Sequence, residues 1–202
     1  NIDLTYIAGH SVVDSLGVRP VIALVEGTTI ASGTGTSSSP YIVEMSTISV
    51  FYNANGGTVS PTSGTQVYEE KYANLPTPVR TGYTFDGWYT AASGGTRVTT
   101  NTTVTNAGPH TLYAHWTANT YTVTLNPNEG SGGTGSVTAA YGSAMPTATM
   151  PTRAGYTFQG FYDTSSSTGG TKYYNADGSS ARTWDKTYGT TLYARWTPNN
   201  YT

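Results

Sequence analysis

The side chains able to do chemistry are few, and their spacing argues against most reactions. The three histidines are His10, His110 and His115. The last two lie in HTLYAHWT, a stretch whose alternation reads as a strand. Being five apart there, they fall on opposite faces, which is the wrong geometry for joint metal ligation. Arg195 replaces His115 in a matching later stretch, which points to a solvent-facing position. NADGS, from Asn175 to Ser179, resembles half of a calcium loop but lacks the later acidic ligands, and reads as a turn. A Lys–Asn cross-link of the kind that locks extracellular stalks would need a buried lysine beside an asparagine and an acid. None of Lys71, Lys172 and Lys186 sits in a local context that recurs. The 11 carboxylates are dispersed, no Ser/His/Asp set stands out, and GxSxG, HExxH and phosphate-loop patterns are missing. With no cysteine, thiol catalysis, disulfides and thiolate metal sites are excluded. The expectation is no catalytic residue, no metal ligand and no cofactor, and an enzyme is the least expected class.

Composition narrows the partners. The 202 residues carry a net charge of −2 and only 10% charged side chains, against roughly 25% in an average soluble domain. No basic field exists to attract nucleic acid or anionic lipid. The longest apolar run, Val18 to Val25, is interrupted by Arg19 and Pro20. It falls far short of the ~20 residues a membrane helix needs, so no membrane insertion is expected in this segment. Thr, Ser, Gly and Tyr dominate, a mixture that favours strands and turns over helices. The chain opens at Asn1 without an initiator Met or signal peptide, and is expected to be an excised piece of a longer protein.

The elements that must position any site come from a repeat. ISVFYNANGG (Ile48 to Gly57) matches YTVTLNPNEG (Tyr121 to Gly130), and Gly82 matches Gly155, both at an offset of 73 residues. TLYAHWTANTYT (Thr111 to Thr122) matches TLYARWTPNNYT (Thr191 to Thr202) at an offset of 80, so the second copy is longer by seven residues. The reading is β throughout. Asn55-Gly56 is a strong signal for a type I′ hairpin turn, and a short helical turn near Glu69 to Leu75 is allowed. HTLYAHWT places Leu112, Ala114 and Trp116 on one strand face with Tyr113 and His115 on the other.

In GYTFDGWYT, alternation puts Tyr83, Phe85 and Gly87 on one face and Thr84, Asp86 and Trp88 on the other. Gly87 and Gly160 are expected at a bulge, and Gly82 and Gly155 at a turn. A small module needs large rings for burial. Phe85, Trp88, Leu112 and Trp116 are therefore expected in one core, with Phe158, Phe161, Leu192 and Trp196 their equivalents. The sharper alternative is an aromatic platform for sugar rings. Its weak candidate is Trp184, which lies in the insertion of copy two without a counterpart in copy one.

VFYNANGGTVSP, LPTPVRTGYTFDGWYTAASGGTRV and TLYAHWTANTYTV resemble the Listeria–Bacteroides repeat, also called the internalin B-repeat family. The resemblance runs over about residues 46–120 and again over 121–200. Copy two departs from it: NPNEGSGGTGS replaces NANGGTVSP, Phe161 replaces the tryptophan, and the insertion lengthens one loop. The resemblance implies a mainly β chain of two small β-grasp-like (ubiquitin-like) modules in tandem, of a kind arrayed in bacterial surface proteins as a stalk or adhesive spacer. It supplies no catalytic residues.

Four segments are thus expected. Residues 1–45 are a lead-in, a strand (GVRPVIALVEG) plus a Gly/Ser/Thr linker that resembles the end of an upstream module. Residues 46–120 and 121–200 are the two repeats, and 201–202 begin a third. The expected role is a structural and adhesive region of a bacterial cell-surface protein, extracellular, presenting other domains and contacting a host or neighbouring-cell protein or glycan. A carbohydrate-binding module is the alternative. Another is a filament subunit that self-associates through residues 12–25.

Overall fold

The computed structural model describes residues 28–33 and 42–200. The strand expected in GVRPVIALVEG, the self-association segment 12–25, His10 and residues 201–202 lie outside the described residues. The chain divides into two bodies, residues 1–46 and 47–202. In the first, β1 (Thr28–Ser32) pairs antiparallel with β2 (Ile42–Met45).

The second body holds both repeats, each built on one five-stranded sheet. The first sheet comprises β3 (Thr47–Asn53), β4 (Ser63–Val67), β5 (Tyr83–Tyr89), β6 (Arg97–Val98) and β7 (His110–Ala118), in the order β4-β3-β7-β5-β6. The second comprises β8 (Thr120–Asn126), β9 (Ser136–Ala140), β10 (Tyr156–Tyr162), β11 (Lys172–Tyr174) and β12 (Thr191–Pro198), in the equivalent order β9-β8-β12-β10-β11. In each, the first and last strands of the repeat run parallel at the centre and every other pairing is antiparallel. The period-two pattern decides which face is inside: along β3, Ile48, Val50 and Tyr52 are buried and their neighbours exposed.

No helix forms at 69–75. The segment turns at Glu69 (φ 64) and again at Asn74 (φ 52), with no regular element between them. Buried Gln66 takes the backbone groups a helix would use: its amide donates to Ala73 O and accepts from Ala73 N, each at 2.8 Å. Pro76 and Pro78 follow and bar continuation. The Asn55-Gly56 turn also differs from expectation. Both residues have positive φ, but they open a long loop, because β3 pairs β4 from Phe51↔Ser63. The Asn55 side chain explains this: it donates to Ala92 O and Ala114 O, tying the turn to the loop after β5 and to β7 instead of closing a two-residue hairpin.

Gly87 and Gly160 do mark bulges, at φ 144 and 128. The bulge overturns the simple alternation. It resets the face, so that Phe85 and Trp88 point to the same core with ring centres 5.6 Å apart, and Phe158 and Phe161 do likewise at 5.3 Å. Trp88, Leu112, Phe161 and Leu192 are fully buried, and Phe85, Trp116, Phe158 and Trp196 pack against them. Gly82 and Gly155 sit in turns, at φ 78 and 75.

The two cores are filled by exchange between equivalent positions. Tyr52, Tyr72, Trp88, Val98 and Val104 of the first repeat stand where Leu125, Met145, Phe161, Tyr174 and Trp184 stand in the second. Large and small trade places so that each interior stays close-packed. The polar partners move with them. Ala139 replaces Gln66 and Pro146 replaces Ala73, so the N–H that the glutamine satisfied no longer exists. The Tyr174 hydroxyl donates to Pro146 O instead, at 2.6 Å.

Candidate functional site

Two features recur in both repeats and are not consumed by the core. One is a row of side chains across the outer face of the sheet. Register places Asn53, Tyr113, Tyr89 and Arg97 side by side on four neighbouring strands, and Asn126, Tyr193, Tyr162 and Lys172 likewise. The rings are half-buried and the flanking asparagines exposed. Each row is completed by a second cross-strand side chain. His115 stacks on Tyr89 at 3.9 Å and bonds Ala91 O. Arg195 lies 3.5 Å over Tyr162 and donates to Ser166 O and Gly169 O. Both side chains clamp the loop that leaves the tyrosine strand, which is why histidine and arginine are interchangeable there. His115 is thus half-buried and engaged, not simply solvent-facing.

The loop is also clipped at its base. Thr96 N donates to Thr90 Oγ1 in the first repeat, and Thr171 N donates to Asp163 Oδ1 in the second. Burial works to raise the Asp163 carboxyl, but the Thr171 N–H and the Lys186 ammonium, 3.2 Å away, outweigh it and hold the group below its usual range. That pair leaves Lys186 in a half-buried ion pair with a charged carboxylate. Lys172 lies over the Tyr162 ring and Lys71 is exposed. Burial raises the Tyr72 and Tyr173 hydroxyls and pushes Tyr174 up to about 12, so all three stay protonated donors at neutral pH.

The remaining expected residues fall into structural roles. His110 bonds the Tyr72 hydroxyl at 2.7 Å and Gly108 O at 3.0 Å, on the face opposite His115. NADGS forms a turn closed by Asn175 and Ser179. Trp184 is corrected from ligand candidate to core: it has no exposed surface, so no sugar ring can stack on it. Its counterpart is Val104, since each accepts through its carbonyl from the N–H after the tyrosine that follows β4 or β9, Tyr68 or Tyr141. Trp116 and Trp196 spend their indole N–H groups on Ala54 O and Pro127 O. Among the described residues, the exposed large rings are Phe51 and Tyr188. Phe51 borders an open groove of about 550 Å³ beside Val59 and Thr111, but Thr124 stands in its place in the second repeat, so the ring beside the groove does not recur.

The second recurring feature joins the repeats. A single residue, Asn119, separates β7 from β8. Its N–H donates to Gly82 O and its carbonyl accepts from Tyr141 N, both at 2.9 Å. Its side chain accepts from the Thr84 hydroxyl at 2.6 Å. Tyr141 of the second repeat lies directly on Gly82 of the first, where a Cβ would fall on its ring carbons. It meets Tyr83 edge-on at 5.7 Å, and Arg80 lies over the Tyr83 ring at 3.9 Å. Gly82 does more than supply the expected turn, and the signal in the sequence is the tyrosine that recurs just after β4 and β9, Tyr68 and Tyr141.

These features define a tandem β-repeat protein whose recurring surfaces are a face and a joint. The sequence pattern of the Listeria–Bacteroides repeat domain matches residues 49–115 and 121–195, and the chain belongs to that family. It is 42% identical to Internalin H of Listeria monocytogenes over 61% of its length and 21% of that protein's. It is 33% identical to a protein of Evansella cellulosilytica described as a Gly-rich membrane protein, over 71% of the chain and 16% of the relative. A second Evansella cellulosilytica protein, described as a membrane protein, is 30% identical over 79% and 22% respectively. The chain therefore spans less than a quarter of each relative. Among the described residues, no helix is long and apolar enough to cross a membrane.

Proposed function

We propose that this chain is a structural and adhesive repeat region of a bacterial cell-surface protein. It acts as an extracellular stalk or spacer that presents other domains. The observation that carries this is the joint: Tyr141 on Gly82, with Asn119 bonded to both repeats, couples consecutive modules through contacts that the repeat itself encodes. Similarity to Internalin H and to proteins described as membrane proteins supports placement at the surface. We read residues 46–120 and 121–200 as the modules and 1–45 as a lead-in. The mixed sheet with a parallel central pair supports a β-grasp-like ancestry for each, with the loop between β4 and β5 in place of a helix.

The test is surface display. The chain is placed between a cell-wall anchor and an amino-terminal epitope on a Gram-positive host, with and without residues 121–200. Antibody access to the epitope should fall when the second repeat is removed. Unchanged access, together with saturable glycan binding by the purified chain, would favour a carbohydrate-binding module instead. The repeated Asn-Tyr-Tyr-basic row is the surface on which that reading would rest.

A further inference from the structure

The joint leaves a second, matching seat. The residues around Gly155 reproduce those around Gly82 one by one. Arg153 lies 3.8 Å over Tyr156, as Arg80 lies over Tyr83. Asn199 N donates to Gly155 O at 2.8 Å, as Asn119 N donates to Gly82 O. Thr157 donates to the Asn199 side chain at 2.7 Å, as Thr84 does to Asn119. Gly155 keeps the same left-handed backbone, with φ 75 against 78. The occupancy differs. Gly82 is buried under the Tyr141 ring, whereas Gly155 has no described atom within 4 Å of where its Cβ would stand.

We infer that the Gly155 seat receives the strand-end tyrosine of a further copy of this repeat, joined in line after Asn199. The occupant follows from the filled seat. Tyr141 reaches Gly82 because β8 starts immediately after Asn119 and β9 returns beside it, so Tyr141 N meets Asn119 O. A repeat beginning after Asn199 starts from the same anchored asparagine. Its tyrosine N–H would meet Asn199 O and its ring would cover Gly155. The bare glycine matters: any side chain there would occupy the place of the ring, and the left-handed φ favours glycine. Arg153 is further held by Glu129 at 2.5 Å, an ion pair the first repeat lacks. Each repeat thus carries a plug and a seat, and the geometry of one junction sets that of the next.

This inference rests on the stalk reading, but its test does not depend on surface display. A copy of residues 120–199 is appended after Asn199, with its plug tyrosine either kept or replaced by alanine, and backbone amide shifts are followed. Keeping the tyrosine should move the Gly155 and Tyr156 signals toward those of Gly82 and Tyr83, and replacing it should return them to their two-repeat values. Gly155→Ala in the extended chain provides a second variant and should likewise release the added copy. Shifts indifferent to the plug tyrosine would overturn the inference. So would concentration-dependent shifts at Gly155 in the two-repeat chain, which would mean that the seat serves another molecule.

Discussion

Trp184 stands in the second repeat where Val104 stands in the first. Both are fully buried, and each carbonyl accepts from the residue that follows the tyrosine of the neighbouring strand. The added volume is offset in the same core by smaller residues, Met145 for Tyr72, Leu125 for Tyr52 and Phe161 for Trp88. The indole N–H meets no acceptor, a cost the valine avoids.

Single swaps at this position should therefore fail in opposite ways. Trp184→Ala should cost about 3–5 kcal/mol by opening a cavity, and Trp184→Phe clearly less, since it removes an orphan donor with the ring mostly retained. Val104→Trp should cost about 1–3 kcal/mol by overpacking. Adding Tyr72→Met should recover part of that loss. Hydrogen exchange at Val123 and Val50 reports the two repeats separately.

Gln66→Ala places in the first repeat the residue type that Ala139 supplies in the second. It should still destabilise by about 1–3 kcal/mol, because the Ala73 N–H and carbonyl are left without partners. Adding Ala73→Pro, the residue found at Pro146, should make the glutamine loss less costly by removing the N–H. Urea unfolding of the single and double variants measures this coupling.

Acid should act on the second repeat in a way the first escapes. Asp163 has a depressed folded pKa, so its stabilising contribution is complete above the unfolded value of about 3.9 and is lost as pH falls through the folded value. Thr90 makes the equivalent clip without a charge. Asp163→Thr should flatten the fall in second-repeat stability below about pH 5. Urea midpoints at neutral and acid pH, for both chains, check it.

Much of this was legible in the sequence. The repeat, the β class and the inward set Leu112, Ala114 and Trp116 follow from self-similarity and alternation. The bulge glycines and the shared core of Phe85 and Trp88 were also legible, but the face was not: an inserted residue changes the face of everything after it, so simple alternation sets Trp88 opposite Phe85. Trp184 looked unpaired because the insertion broke the offset that links it to Val104. The Gln66–Ala73 bonds and the Tyr141–Gly82 joint each connect residues with no local pattern between them, and only tertiary placement reveals them.

The joint is the centre of this account, and two glycines isolate it. Gly82→Ala and Gly155→Ala each carry a left-handed backbone penalty of about 1–2 kcal/mol, but only the first displaces Tyr141. With no native cysteine, spin labels at Thr100→Cys and Thr187→Cys report the distance between repeats cleanly. The native chain and Gly155→Ala should give one narrow distance distribution, and Gly82→Ala a broad one. Equal widths in all three chains would contradict a joint held by Tyr141.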